Sequence, residues 1–570
     1  MNTEFTASLF DELDSLYPDS DAREGVKEYE IAGANGMYVG AHIMVSNLTP
    51  GIPVTVEVEG PHTAFRLSQL ISVPVEVNTG AKQRSAYLHD DVNDSVIRKA
   101  PFFVYDVLKP MYNILMPTGV SCALAFKTVI EYTRKIETDK WVIRVGHAGK
   151  TETLTLHVTR YPVTVERAGK NDHRVVNWIS YSNIVKYHHV EMDSPEYFSI
   201  LDKYLQMAVY MRQNIMPLSV GMFIRMKNGV IEVNEKRFDK YIEAGRKAGF
   251  ELFQGMAFCG RIEGQADNDQ FYQSLPHDTI QSPEEIRKAF RKAAFDKFDN
   301  GARARVNLTG TDIETEEGQR ILRAEMRALY ALLKKKGLTD AWEQCLLDEP
   351  NDALAKVYSI MSKIAREEMP DIPIMEPVLP THALTGMLDI WCPTNETYEN
   401  DREYYDERVK AGDKLYVYTC LTPGGRYLNR MLDMQRLRQT YLGWAPAKYE
   451  NVTGFLHWGY NQFLTGDDPF DRSARMFSES VLQFHPKRDL FLPAGDFSVV
   501  YPGYNMPLLT TRAEAQRIGL EDLVLLSRID KGVRDEIVSG VFRGYADYET
   551  DISKYRQARK RLLEEAAKDI

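Results

Sequence analysis

The feature that most limits what this chain can become is a change of rhythm near Val163. Ahead of it, short runs alternate apolar and polar residues, as in Pro53-Val-Thr-Val-Glu-Val-Glu59 and Thr153-Leu-Thr-Leu-His-Val-Thr159. A period of two, broken by Gly, Pro and Asn, marks half-buried antiparallel strands, so residues 28–165 are expected to form a β-sandwich. Beyond it, apolar runs alternate with helical periodicity, which predicts parallel strands joined by crossover helices. The runs fall at 175–181, 218–223, 250–258, 343–347, 372–376, 388–392, 414–419 and 454–458. Helical patterns fall at 196–212, 238–248, 283–298, 319–335, 354–368 and 402–410. Eight such units match a (β/α)8 barrel of the TIM type, assigned to residues 166–488. The stretch between Phe258 and Trp342 reads as an insertion over the catalytic face. Residues 1–27 read as a polar lead-in of helical character without a motif. Residues 489–570 read as a mixed, mainly helical extension on the barrel exterior, its last helix also compatible with a coiled-coil or oligomer contact. The fold class is thus α/β multidomain: an N-terminal antiparallel β-sandwich, a central TIM-type barrel and a helical C-terminal extension.

At 570 residues the chain exceeds what one core usually organises, which agrees with several domains. Seventy basic against 81 acidic side chains leave a net charge of −11, arguing against nucleic acid or an anionic membrane as partner. No apolar run is long enough for a membrane helix. The abundant aromatics, 31 Tyr, 24 Phe and 6 Trp, suit a sugar cleft and equally a core. Five cysteines without a Cys-x-x-Cys pair read as reduced core residues. Met1 to Asp21 is acidic and lacks a basic n-region and apolar h-region, so the expected location is cytoplasmic. Gly146-His-Ala-Gly-Lys-Thr151 looks superficially like a phosphate loop, but Arg144 stands where the first Gly belongs and strand patterns flank it.

The chemistry is expected at Trp342-Glu-Gln-Cys-Leu-Leu-Asp-Glu-Pro-Asn351, where an apolar run ends in two carboxylates and Pro350 stops ladder pairing. Asp348 and Glu349 would then sit at a strand's C-terminal tip, the face on which barrel enzymes build their sites. Paired carboxylates suit glycoside hydrolysis. If both converge on one side of a sugar they are poorly placed to attack and protonate from opposite faces, and they fit a mechanism whose nucleophile is the substrate's own 2-acetamido oxygen. Asp348 would hold the acetamido N–H and Glu349 would protonate the glycosidic oxygen and later activate water. The same residues also make a reasonable acidic helix N-cap, and that reading stands beside the catalytic one.

Leu347-Asp-Glu-Pro350, Tyr416-Val-Tyr-Thr-Cys420 with Pro423, Leu442-Gly-Trp444 and Trp458-Gly-Tyr-Asn461 with Asp468-Pro469 form an ordered set that resembles the catalytic domain of glycoside hydrolase family 123. Gly495-Asp496, Tyr501-Pro-Gly503 and Arg517-Ile-Gly-Leu-Glu-Asp522 look like that family's closing signature. Leu456-His457 and Leu523 depart from the pattern. The resemblance implies an exo-acting, retaining β-N-acetylgalactosaminidase working by substrate assistance through an oxazoline-type intermediate. It implies Asp348 as the acetamide-stabilising group, Glu349 as general acid/base, and a carbohydrate substrate with a terminal N-acetylhexosamine, without cofactor or metal.

Around this pair, Trp458, Tyr460 and Asn461 at the eighth strand's end would wall the sugar and bond its acetamido or hydroxyl groups. Tyr416 and Tyr418 share a face of the seventh strand, and Tyr418, nearer the tip, would donate to the acetamido oxygen. Trp391 would line the acetamido pocket or sit in the core. His188, with His189 and Glu191, would touch a sugar hydroxyl; the spacing is not that of a metal helix. Two rivals remain: a two-carboxylate retaining glycosidase pairing Glu349 with Glu376, or with the deeper Asp389, and a non-catalytic carbohydrate-binding barrel.

Overall fold

A computed structural model describes residues 4–80, 95–262, 303–463, 468–476 and 491–568. Ten strands open the fold: β1 (Thr6–Asp11), β2 (Glu28–Asn35), β3 (Tyr38–Ser46), β4 (Val54–Glu59), β5 (Phe65–Val75), β6 (Phe102–Met111), β7 (Ile114–Leu115), β8 (Ser121–Val129), β9 (Glu137–His147) and β10 (Lys150–Thr164). They form two five-stranded sheets, ordered β1-β3-β8-β5-β6 and β2-β10-β9-β4-β7. Pairing is antiparallel except between β10 and β2, which run parallel. The inward positions of both sheets, Ile43 and Phe126 from one and Trp141 and Leu156 from the other, are buried in a single core. The lead-in is corrected here: Thr6–Asp11 is no helix but an edge strand paired with β3 from Thr6↔Ser46 to Asp11↔Ala41. The stretch that looked like a phosphate loop is the β9–β10 hairpin, turned by Ala148 (φ 51°) and Gly149 (φ 76°), the two positive angles a type I′ turn requires.

The second half carries parallel strands with two small hairpins between them. In order these are β11 (Arg174–Asn177), β12 (Ile215–Leu218), the hairpin β13 (Ile224–Lys227) and β14 (Val230–Val233), then β15 (Leu252–Gly255). The hairpin β16 (Cys259–Ile262) and β17 (Arg303–Val306) precedes β18 (Trp342–Gln344), β19 (Met375–Val378), β20 (Ile390–Pro393), β21 (Lys414–Thr419) and β22 (Val452–His457). One parallel sheet runs β11-β22-β21-β20-β19 and a second β12-β15-β18. A parallel bridge, Gln344↔Ile374, joins the second sheet to the residue ahead of β19. At the other side Asn214 N–H donates to the Val175 carbonyl at 3.2 Å. Val176, Ile215, Met375, Cys392, Tyr418 and Leu456, one from each of six strands, meet in one buried cluster.

Strand positions differ from expectation in two instructive places. The apolar run from Ile215 to Ile224 contains its strand in the first half, because β12 pairs with β15 from Ile215↔Leu252 to Leu218↔Gly255, while Val220–Met222 closes as a 3-10 turn. And β18 ends at Gln344, so Asp348 and Glu349 stand on a bend past the strand. Helices at Pro195–Tyr210, Glu235–Ala248, Glu316–Lys336, Ala355–Glu368 and Arg402–Lys410 follow the predicted periodicity, three of them capped by Ser194, Asn234 and Thr315 side chains. The helix expected at 283–298 lies outside the described residues.

The helix Thr511–Leu526, expected to pack on the outside of the barrel, lies against the helix Leu437–Lys448 that joins β21 to β22 and is itself buried. Every residue but Leu523 and Val524 is buried, because the helix is wedged between the sandwich and the helix Leu437–Lys448. Gly443 and Gly519 meet where the two helices cross; a Cβ on Gly519 would stand 2.0 Å from the Thr440 carbonyl oxygen. Its charged residues are neutralised from afar: Arg512 bonds Asp106 of β6 at 3.0 Å, Glu514 meets Lys127 of β8 at 3.0 Å, and Asp522 holds Arg559 at 2.8 Å. The first two pairs clamp the sandwich to this helix, and the third ties it to the helix Ile552–Ala566.

Candidate active site

A cleft of about 610 Å3 opens at the C-terminal ends of the parallel strands. Trp178 after β11, Met256 after β15, Asn307 after β17, Cys345 and Asp348 after β18, and Gln462 after β22 all border it.

The chain at the tip of β18 is held by a buried acid. Glu376 of β19, fully enclosed, accepts the backbone N–H of Leu346 (2.5 Å) and Leu347 (2.9 Å) and the Tyr358 hydroxyl (3.1 Å) on one carboxyl oxygen. Burial raises its pKa, with the two amides opposing. Two residues on, Glu349 has φ 48°, a left-handed conformation uncommon for a residue with a side chain. Downstream, the Asn351 side chain accepts the Leu354 N–H at 3.2 Å and caps the turn leading into the helix Ala355–Glu368. Asn351, not Asp348 or Glu349, is therefore the helix cap, and the two carboxylates are free for other work.

Asp348 makes no hydrogen bond within the described residues and is exposed to the cleft. Protein surrounds it on its other sides, and its pKa is pushed up to about 7, by lost hydration first and the neighbouring Glu349 charge second, with Arg261 opposing. Cleft water preserves some hydration, so the shift is upward with less than the full force of burial. Glu349 accepts the Tyr418 hydroxyl at 2.6 Å, and Arg261 of β16 lies 3.6 Å from its other oxygen. Below this level, Tyr416 donates to Glu343 (3.1 Å), Gln254 bonds Glu343 (2.7 Å), and the Trp178 indole donates to Gln254 (2.8 Å). This chain of bonds satisfies a buried carboxyl in the strand interior and fixes Trp178 at the cleft edge.

The structure brings together some predicted residues and disperses others. Tyr418 reaches Glu349, but Tyr416 lies a layer deeper on Glu343. Trp458, half-buried at the end of β22, directs its indole N–H to Asp496 at 3.1 Å and packs beside Leu421. Trp391 is corrected from pocket to core: Ile390 and Cys392 take the inward positions of β20, so period two turns Trp391 outward onto Tyr404, Tyr405 and Asp413. Tyr460 is likewise turned out, fully buried, donating to the Tyr204 carbonyl at 2.7 Å. Asn461 is tied to the Ser180 backbone through both side-chain atoms, and His188 to the Tyr204 hydroxyl at 2.9 Å, its pKa lowered to about 4 by burial. None of these four borders the cleft. Glu376 serves the tip as an anchor, and Asp389 accepts the Ile374 N–H and Arg366 at 2.6 Å, at the opposite end of its strand.

Sequence reasoning missed Trp178, which lay inside an overlong strand, and Arg261, which lies in the insertion. Position directly after the first strand would have flagged Trp178. Nothing in the sequence ties Arg261 to Glu349.

A comparison with curated proteins finds no match. Among solved structures the chain is similar to a family 123 glycoside hydrolase from Clostridium perfringens, studied for glycolipid glycan hydrolysis, with TM-score 0.69 and 12% identity over 99% of this chain and 98% of that one. At that identity the likeness shows the fold. A Parabacteroides merdae β-glucuronidase aligns at TM-score 0.29 with 10% identity over 91% of this chain and 51% of that one. A β-galacturonidase from Eisenbergiella tayi aligns at 0.30 with 10% identity over 90% and 70%. Neither of these two carries any weight. The profile described as glycoside hydrolase 123, catalytic domain, matches residues 178–529, which is more than half of the 570 and spans the whole cleft. The chain belongs to glycoside hydrolase family 123 and is a glycosidase.

Proposed function

We propose that this glycosidase is an exo-acting, retaining β-N-acetylgalactosaminidase that releases terminal β-linked N-acetylgalactosamine from glycans or glycoconjugates by substrate assistance. The observation that carries the reading is the adjacency of Asp348, unpartnered and open to the cleft, and Glu349 on one bend, with Glu376 enclosed behind them. A conventional retaining enzyme needs two carboxyls about 5 Å apart on opposite sides of the scissile bond. Glu376, fully buried and holding the Leu346 and Leu347 amides and the Tyr358 hydroxyl on one of its two oxygens, is enclosed behind the bend and does not offer the second.

In the proposed reaction Asp348 accepts the acetamido N–H, turning the carbonyl oxygen toward C1. That oxygen forms a bond to C1 as the glycosidic C–O bond breaks, and Glu349 gives its proton to the departing oxygen. Ionised Asp348 offsets the positive charge of the oxazolinium ring. Glu349 then takes a proton from water, whose oxygen opens the ring at C1 and restores the β configuration. Tyr418, 2.6 Å from Glu349, orients the acid beside Asp348.

The two parallel sheets are proposed to be arcs of one (β/α)8 barrel, supported by the shared interior cluster, the bridge at one seam and the Asn214–Val175 hydrogen bond at the other. A glycolipid glycan, the substrate studied for the Clostridium perfringens relative, is proposed as one natural source of the sugar. The buried, unpaired cysteines agree with the proposed cytoplasmic location.

Initial rates on aryl β-glycosides of N-acetylgalactosamine, N-acetylglucosamine and galactose test the reading. The N-acetylgalactosaminide should be cleaved selectively, and Glu349→Gln should slow it by a factor on the order of a hundred or more. Equal cleavage of the galactoside would sink substrate assistance.

A further inference from the structure

A second groove, of about 550 Å3, lies between the sandwich and the helix Pro195–Tyr210, and it shares no lining residue with the catalytic cleft. Four cations border it: Arg66 of β5, Arg167, Lys203 and Arg212. None of the four makes an ion pair with any described residue. Arg167 and Lys203 donate to the Ala248 and Asn505 carbonyls. Arg212 is 8% exposed, has φ 66°, and makes a single side-chain bond, to the Glu166 carbonyl at 3.0 Å. The two acids bordering the groove are engaged elsewhere. Glu521 takes Arg517 at 2.6 Å, and the Glu166 carboxylate lies 3.5 Å from Arg528.

Arg66 is held in place without being neutralised. Its guanidinium lies 5.1 Å from the Tyr38 ring centre and 6.0 Å from that of Tyr210. Those two rings meet edge to face at 5.1 Å, and buried Arg517 also lies 5.1 Å from the Tyr210 ring centre. Stacking fixes the plane of the fork while leaving its N–H groups unspent, so little side-chain entropy is lost when an oxyanion arrives. Arg212 is buried with Glu521 and Asp172 attracting it only from beyond ion-pair distance, and an arriving anion would offset the cost of that burial. These features stand on a chain of net charge −11, where an uncompensated basic groove runs against the overall balance.

We infer that this groove binds the anionic group of a glycan, a sulfate or carboxylate borne on a sugar, at a site separate from the catalytic cleft. Arg66 and Arg212 supply paired N–H donors, the arrangement suited to a planar or tetrahedral oxyanion. The net charge of −11 disfavours a nucleic acid, whose long run of phosphates needs many cations beyond the four of the groove. The inference rests on the glycosidase assignment and is independent of which terminal sugar is cleaved.

Calorimetric titration of the full chain carrying Glu349→Gln, which keeps probes intact, tests it with four ligands. These are inorganic sulfate, chitohexaose, and the hexasaccharides of chondroitin and of chondroitin sulfate. At least one acidic hexasaccharide should bind, and Arg66→Ala should weaken it about tenfold, the loss expected for one charge-assisted bond. Arg66 is exposed, so this variant should fold, and in the otherwise unaltered enzyme it should hydrolyse a small aryl glycoside at the parent rate. Chondroitin against its sulfated form tells whether carboxylate or sulfate is the recognised group. Binding unchanged in Arg66→Ala, chitohexaose binding as tightly, inorganic sulfate matching the glycans, or no acidic probe binding at all would each overturn the inference.

Discussion

Asp348 offers the sharpest test of the proposed chemistry, because its protonation state is set by its surroundings and its role needs the charged form. Its pKa is raised from the ordinary 3.8 to about 7 by lost hydration and the Glu349 charge, against the pull of Arg261. A carboxyl raised in this way is neutral below the shifted value, and neutral Asp348 neither accepts the acetamido N–H well nor offsets the oxazolinium charge. The acid limb of kcat/KM, which reports the free enzyme, should therefore have an apparent pKa well above 4 and no higher than about 7. At the upper end, the ionised fraction is about a tenth at pH 6 and about a hundredth at pH 5, with kcat/KM falling in proportion. The limb of kcat should lie lower, because the bound N–H stabilises the carboxylate. Arg261→Ala removes the opposing charge and should move the kcat/KM limb upward. The assay is a pH series with an aryl N-acetylgalactosaminide in buffers of constant ionic strength. An acid limb near 4 that ignores Arg261→Ala would refute the reasoning.

The anchor and the helix crossing give two further outcomes. Glu376→Gln keeps an oxygen for the Leu346 and Leu347 amides, so turnover should stay within a few fold, whereas Glu376→Leu strands two buried N–H groups at about 1–3 kcal/mol each and should lower both Tm and kcat. A folded Glu376→Gln as inactive as Glu349→Gln would instead make Glu376 the nucleophile. Gly519→Ala drives a Cβ to 2.0 Å from the Thr440 carbonyl, backbone that has no room to yield, and should cost about 3 kcal/mol in denaturant unfolding. An unchanged midpoint would show that the two helices separate easily.

How far the sequence revealed this arrangement depended on how local the deciding contacts were. Strand and helix periods in the second half are local, so seven of the eight predicted runs overlap the observed strands by two residues or more. The exception, 218–223, failed because a long apolar run carries no mark of where pairing starts, and β15 made that choice. Trp391 failed for a related reason: period two says that Trp391 and Cys392 face opposite ways, not which of them faces inward. The helix Thr511–Leu526 reads as amphipathic, and nothing in its own residues tells that its charged face is buried as well. Its neutralising partners Asp106 and Lys127 lie about 400 residues earlier in the chain. The carboxylate pair was legible because adjacency is itself local, while Arg261 and the Asn351 cap needed the bend to be seen.

In the proposed reaction that bend is what would let neighbouring residues serve one side of a sugar. On a regular strand the Asp348 and Glu349 side chains would diverge to opposite faces. Here β18 stops at Gln344, Glu376 seizes the next two free amides, and Glu349 takes φ 48°. Such a backbone costs about 1 kcal/mol or more for a residue with a Cβ, and it persists only where flanking contacts leave no alternative. Glu376 fixes the upstream side, Pro350 restricts φ immediately downstream, and the Asn351 cap locks the entry to the next helix. Lost hydration first, and the like charge of Glu349 second, raise the pKa of Asp348, an expense that adjacency on one bend increases. The expense is useful where the substrate brings its own nucleophile: acid and acetamide holder must then stand together, and the opposite face of the ring needs no carboxylate at all.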